Sequence, residues 1–168
     1  VWDMDGAALA NAIVWQDARA TDICARLRQC GMNDIVRMRS GIELSPYFPA
    51  AKLAWLLENE SVVKDALLAG NIRMGTIDTY LVYRLTHGAS YKTDYSNASR
   101  TELFDIGSLN WDEEICDAFG IPVHALPEVT DSDADFGATD FEGYLDHSIP
   151  IHAVLGDSHG ALFGQGCI

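Results

Sequence analysis

Asp157 stands in Gly156-Asp-Ser-His159, directly after the apolar run Ile149-Pro-Ile-His-Ala-Val-Leu155. A carboxylate at the tip of a buried strand, beside the start of a helix, is held rigidly and partly desolvated. It can take a proton from a substrate hydroxyl or help to hold a metal. The same position suits a helix N-cap, whose side chain satisfies orphan amides. Trp15 closes a short apolar stretch, and Tyr47 lies in the turn Ser45-Pro-Tyr-Phe-Pro49. Large rings in such places can form the apolar wall against which a polyol or sugar lies; ordinary core packing is the plainer reading. His159 lies near Asp157, but without a nucleophilic Ser or Cys in a recognisable elbow a hydrolase triad has little support. Gly156–Gly164 is glycine-rich, yet it lacks the lysine of a phosphate loop and matches no dinucleotide fingerprint. Asp131 to Glu142 places acids at positions 1, 3, 5 and 12, as a calcium loop needs. Its glycine is one place late, at Gly137, and Pro127 and Gly143 flank it instead of two amphipathic helices, so a solvated acidic loop is the competing reading.

The elements that must hold these residues are mostly helices. The turn signal Asp3-Met-Asp-Gly6 after Trp2 suggests the inside of a β-hairpin rather than a natural N-terminus. Ala12–Trp15 reads as a short strand, and Asp17 as the cap of a helix through about Cys30. Further helices are expected over 33–39, 50–58, 61–69 and 76–85. In the last of these Ile77, Leu81, Val82 and Leu85 are expected to face inward. A capped short helix is expected within 109–120 and an extended segment over 122–127. Residues 149–155 form a near-continuous apolar run, hence a buried strand that ends in Gly156-Asp157 and turns into a helix over 158–166. Ligands of α/β enzymes sit outside the carboxyl ends of such strands.

Composition narrows the function classes. The chain has 168 residues and a formal net charge of −14. That sign repels phosphate backbones and anionic lipid head groups, so neither nucleic acid nor a membrane is an expected partner. At 48% hydrophobic, the sequence is no disordered acidic tail. Residues 101–168 hold 14 acids and no Lys or Arg. Any phosphate handled there must meet backbone amides, helix N-termini, a metal ion or cations from elsewhere. No signal peptide or membrane-spanning run is visible. The cysteines 24, 30, 116 and 167 form no Cys-x-x-Cys pair and read as reduced, mostly buried thiols. The expected compartment is the cytoplasm.

Several stretches coincide with one family. Tyr47-Phe-Pro-Ala-Ala-Lys-Leu-Ala-Trp-Leu-Leu-Glu-Asn59 resembles the signature of the FGGY carbohydrate kinases. Asn11–Arg19, Gly75–Leu81, Thr93–Thr101 and Leu126–Val129 look like successive blocks of the glycerol kinases within that family. Gly156-Asp157 with Ala161–Gln165 looks like their catalytic segment. The resemblance implies an α/β fold of the ribonuclease-H-like, actin-like ATPase type, helix-rich here and with its central strands partly missing. It implies ATP- and Mg²⁺-dependent phosphorylation of a polyol or sugar, with Asp157 as the general base and Trp15 and Tyr47 as the aromatic side of the pocket. Homodimers or homotetramers are compatible with it.

Glycerol kinases usually follow the catalytic Asp with Gln, which helps to hold glycerol. Here Ser158 takes that substrate-contacting place, leaving room for a different or larger acceptor. The family's N-terminal phosphate-binding hairpin and Arg-Glu pair would precede Val1, and its second phosphate loop and adenosine-binding domain would follow Ile168. The whole of 1–168 is thus expected to be part of an N-terminal kinase domain, holding the acceptor side, with no nucleotide-binding or metal-binding residue of its own and inactive in isolation. The alternatives are a non-catalytic fragment that binds or supports substrate, and a calcium-binding module built on the acidic loop.

Overall fold

The computed structural model describes residues 1–167. Its main body is four helices packed on one another: α1 (Thr21–Gln29), α2 (Met32–Ser40), α3 (Pro49–Asn59) and α7 (Glu113–Phe119). α3 starts at Pro49, whose missing N–H costs nothing in a first turn, and buries Leu53, Leu56 and Leu57 as their spacing predicts. Gly41 closes α2 with φ 76°, a left-handed conformation that disfavours a side chain. Asp112 caps α7 through its carboxylate, which accepts the Ile115 N–H at 2.9 Å. Arg39 holds both Asp112 oxygens at 2.8 Å and Glu114 at 2.5 Å, tying α2 to α7. Ile23, Val36, Leu44, Ile115 and Phe119 fill the space between them.

α4 (Ser61–Leu68) and α5 (Ile77–Leu85) follow α3. Strand content is small. β1 (Lys92–Asp94) runs parallel to β4 (Glu128–Thr130), with Asp94 opposite Thr130. β2 (Phe104–Asp105) pairs with β3 (Asn110–Trp111), and β5 (Ala138–Thr139) with β6 (Ile149–Pro150). The one-turn helix α6 (Tyr95–Ala98) caps β1, and α8 (Asp157–Gly164) ends the described chain. This is the helix-rich, strand-poor architecture expected. No helix among the described residues is long and apolar enough to cross a membrane.

Several local expectations are corrected. Residues 12–15 form no strand; they run irregularly into a turn at Trp15-Gln16, for want of a neighbouring strand among the described residues. Asp17 does not cap α1, which begins four residues later behind Ala20; its carboxylate is held by the Arg19 guanidinium at 2.7 Å. α5 buries Thr79, Val82 and Tyr83, leaving Ile77 and Leu81 exposed, because its inner face is set by Trp2 packing on Tyr80 and Tyr83. Residues 123–125 form a 3₁₀ turn, where an extended segment is expected. The run 149–155 is a strand only at Ile149–Pro150 and is largely exposed, since β5 pairs with two residues and no second strand flanks it among the described residues. Trp2 does bridge Ala8 as a hairpin would, and Arg73 on its other side. Cys24 and Cys116 are buried and Cys30 and Cys167 exposed, all four free.

Candidate acceptor site

Trp15 and Tyr47 come from loops 32 residues apart and meet at a ring-centroid distance of 5.7 Å, inclined by 59°. They are not core residues: Trp15 is 60% and Tyr47 48% exposed. A tilted pair with open faces offers apolar surface to the C–H edges of a small molecule. Tyr47 leans edge-on against Phe48 at 5.0 Å, and the Arg100 guanidinium lies over the other ring of that stack, 5.0 Å from Phe48.

The loops are held from behind. The buried Lys52, on the first turns of α3, donates from Nζ to the Asp17 carbonyl at 2.9 Å and to the Pro46 carbonyl. Glu102, fully buried with φ 69°, accepts the Ser45 N–H at 2.7 Å through Oε1. Its Oε2 is buried with no hydrogen-bond partner among the described residues, and burial pushes its carboxyl up to about 8, against the pull of the Ser45 amide. Ser45 Oγ in turn accepts the Tyr47 N–H at 3.2 Å.

Asp157 is the first residue of α8, behind the N-cap Gly156, and is exposed. It therefore sits inside the helix start and is not its cap. Its Oδ1 accepts the Ser158 N–H at 2.6 Å and the Ser158 hydroxyl at 3.2 Å. Its Oδ2 accepts no hydrogen bond among the described residues, so a proton can arrive there. The segment leading to it is anchored by side chains that periodicity and composition did not single out. The Gly156 N–H donates to Ser96 Oγ at 2.8 Å, and that hydroxyl donates to Asp94 Oδ2 at 2.5 Å. Ser132 Oγ donates to the same oxygen at 2.5 Å, and the Val154 N–H donates to the Ser132 carbonyl at 3.0 Å. Burial alone would raise the Asp94 carboxyl, but the bonds from Ser132, Ser96 and Asn97 outweigh it and hold the group below its ordinary value.

The structure thus joins Trp15 to Tyr47 and Asp157 to Ser158. No hydrogen bond or ion pair among the described residues links the two pairs directly; residues 94–102 lie between them, touching Gly156 through Ser96 and Phe48 through Arg100. Asp94 carries a local signal, an Asp followed by Tyr-Ser-Asn at a strand end. Ser132, 38 residues away, carries none.

The acidic loop does not converge. Glu142 pairs with Arg84 at 3.0 Å and Asp140 with His87 at 3.0 Å, while Asp135 accepts the Gly137 N–H at 2.8 Å. β5 interrupts the loop at Ala138, and among the described residues no three His, Cys, Asp or Glu side chains group as a metal site. The calcium alternative is overturned by this dispersal.

The model for the N-terminal domain of the FGGY family of carbohydrate kinases matches residues 1–164. The glycerol kinase of Thermus brockianus is 47% identical over 169 residues, covering 100% of this chain and 34% of that protein. Glycerol kinase 1 of Thermotoga maritima is 43% identical over 167 residues, covering 99% and 34%. The crystal structure of Plasmodium falciparum glycerol kinase with ADP superposes with a TM-score of 0.90 at 36% identity, covering 98% of this chain and 33% of that one. The chain spans about a third of the length of these relatives, and its fold is the actin-like ATPase type expected. Because the family model and the sequence relatives both run essentially its whole length, the chain belongs to the FGGY family of carbohydrate kinases.

Proposed function

We propose that the protein carrying this chain transfers the γ-phosphate of ATP to a hydroxyl of a polyol or sugar, glycerol-like in size, and that residues 1–168 supply the acceptor side. The observation that carries this reading is the state of Asp157: exposed at the head of α8, with Oδ1 occupied by Ser158 and Oδ2 open, on a segment anchored through Gly156. In this reading Oδ2 takes the proton from the attacking hydroxyl. Ser158 contacts the acceptor beside it, and Trp15 and Tyr47 hold the carbon skeleton. Fixing that skeleton against a positioned base is most of what phosphoryl transfer asks of a protein, because the reaction needs alignment more than covalent help.

This reading does not assign the donor side to the described residues. No metal-binding group is assembled for Mg²⁺, and residues 101–167 have no Lys or Arg for phosphate. ATP and Mg²⁺ therefore belong, in this proposal, to the part of the relatives' length that this chain does not span. The test is Asp157→Ala in the complete protein, in a coupled assay against glycerol, tetritols and pentuloses. A positioned base contributes about 10²–10⁴-fold, so turnover should fall by that order with the melting temperature unchanged. Turnover near wild type would remove the base assignment.

A further inference from the structure

Lys52 is anomalous on its helix. Every other buried position of α3 is apolar: Ala50, Ala51, Leu53, Ala54, Leu56 and Leu57. Lys52 is 6% exposed, and burial pushes its ammonium below the ordinary lysine range. An ammonium inside a protein is normally repaid by a carboxylate. Among the described residues Lys52 makes no ion pair; the side-chain hydrogen bonds it donates go to two backbone carbonyls, Asp17 and Pro46. Among the described residues neither carbonyl accepts any other hydrogen bond. Each belongs to a loop that carries one of the two rings: Trp15 is two residues before Asp17, and Tyr47 is the residue after Pro46.

The rings themselves cannot set their own separation. Both are about half exposed, and neither sits on a helix or strand. The loop of Trp15 is otherwise pinned on its far side, where Arg19 grips Asp17 and lies 4.7 Å over the Trp55 ring. The loop of Tyr47 is otherwise pinned through Ser45 to Glu102. Among the described residues Lys52 is the one side chain that bonds to both loops.

We propose that Lys52 is a positioning residue of the acceptor site, a buried clamp that fixes the gap between Trp15 and Tyr47 and so selects which carbon skeleton fits between base and wall. This rests on the acceptor reading given above. A methionine would fill the same volume and leave both carbonyls without a donor, freeing the two loops together.

The experiment compares wild type, Lys52→Met, Lys52→Gln and Asp157→Asn in the complete protein, with two independent readouts. The first is amide hydrogen exchange, which needs no activity. K52M should speed exchange in residues 14–19 and 45–48 together, by about tenfold for a lost hydrogen bond, while the α3 and α7 amides stay protected and D157N changes nothing. The second is kinetics. K52M should raise the KM for the acceptor by about tenfold with the KM for ATP unmoved and kcat within about threefold, and should flatten the preference among polyols. K52Q, which keeps amide N–H donors on a shorter, uncharged side chain, should lie between. Unchanged exchange in either loop overturns the clamp. Loosened loops with an unchanged acceptor KM overturn the positioning role. Loss of the whole fold in both K52M and K52Q also overturns the proposal, since Lys52 would then be a general core support. If wild type phosphorylates no polyol, the acceptor reading fails while the exchange arm still decides whether the clamp exists.

Discussion

Ser96 Oγ receives the Gly156 N–H at 2.8 Å across 60 residues of sequence, and passes its own proton to the Asp94 carboxylate. This bond fixes the backbone immediately before Asp157, although neither partner is expected to touch substrate. Gly156 is shaped to it: a Cβ there would lie 3.0 Å from His159 Nδ1 and 3.3 Å from Ser96 Oγ, tighter than ordinary contact.

Ser96→Ala is therefore expected to act on turnover more than on binding. It removes the acceptor of the Gly156 amide and one donor to Asp94, at a stability cost of about 1 kcal/mol. A misplaced base slows the chemical step, so kcat should fall about tenfold with the KM for ATP unmoved. Gly156→Ala should do the same by pushing the segment away from Ser96. Steady-state kinetics decide it: equal kcat in wild type and S96A would show that the anchor does not position the base.

Trp15 separates a site residue from a core residue cleanly. A buried tryptophan replaced by alanine costs about 3–5 kcal/mol. Trp15 is 60% exposed, and its aromatic partner is Tyr47. Trp15→Ala should therefore cost under about 1 kcal/mol, while the KM for the acceptor rises about tenfold or more. Trp15→Phe should recover most of the loss. A large drop in melting temperature with an unchanged KM would return Trp15 to ordinary packing.

Ser158 tests acceptor size. Its hydroxyl turns back to Asp157 Oδ1, so it extends no reach beyond the carboxylate. Ser158→Gln adds a longer amide at that position. In a pocket built for glycerol it should improve glycerol relative to larger acceptors; one missing hydrogen bond corresponds to about 1 kcal/mol, or about fivefold in kcat/KM. A panel of tetritols and pentuloses reads the ratio, and an unchanged ratio would place Ser158 outside acceptor contact.

The helices that carry the site were legible wherever a single stripe of apolar residues decided them. Leu53, Leu56 and Leu57 locate α3, and Asp112 with its acidic first turn locates α7. The pattern failed where burial depends on what lies opposite. The run 149–155 reads as a buried strand because its residues are apolar, yet burial needs covering elements, and β5 supplies two residues. α5 turned its Thr79 inward against Gly75, and Trp2 packs on the neighbouring Tyr80 and Tyr83. Among the candidate site residues, Trp15, Tyr47, Asp157 and Ser158 stood out by residue type and family resemblance. The groups behind them did not. Lys52 belongs to the family signature, but residue type alone reads it as a solvated charge, and nothing local in Ser132 announces a bond to Asp94.

Glu102 sets a pH dependence of stability whose sign follows from its burial. Its carboxyl is raised from 4.5 to about 8 in the fold. The native state thus holds a proton that the unfolded chain releases above about 4.5, so between about 4.5 and 8 the native state binds more protons and stability falls as pH rises. Below 4.5 both states are protonated and the group contributes no slope; above 8 both are ionised and the full penalty is present. Glu102→Gln mimics the protonated form and removes the titration. Wild type and E102Q should have similar urea midpoints at pH 5, and the variant should pull ahead steadily towards pH 8, by at most about 1.4 kcal/mol for each unit of the shift. The comparison cancels the histidines, which titrate alike in both proteins. Because the Glu102 carboxylate holds the Ser45 amide behind Tyr47, an ionised Glu102 should grip that turn more firmly. A difference in midpoint that stays constant from pH 5 to 8 would show that Glu102 is ionised throughout, and that its unpartnered Oε2 reaches solvent.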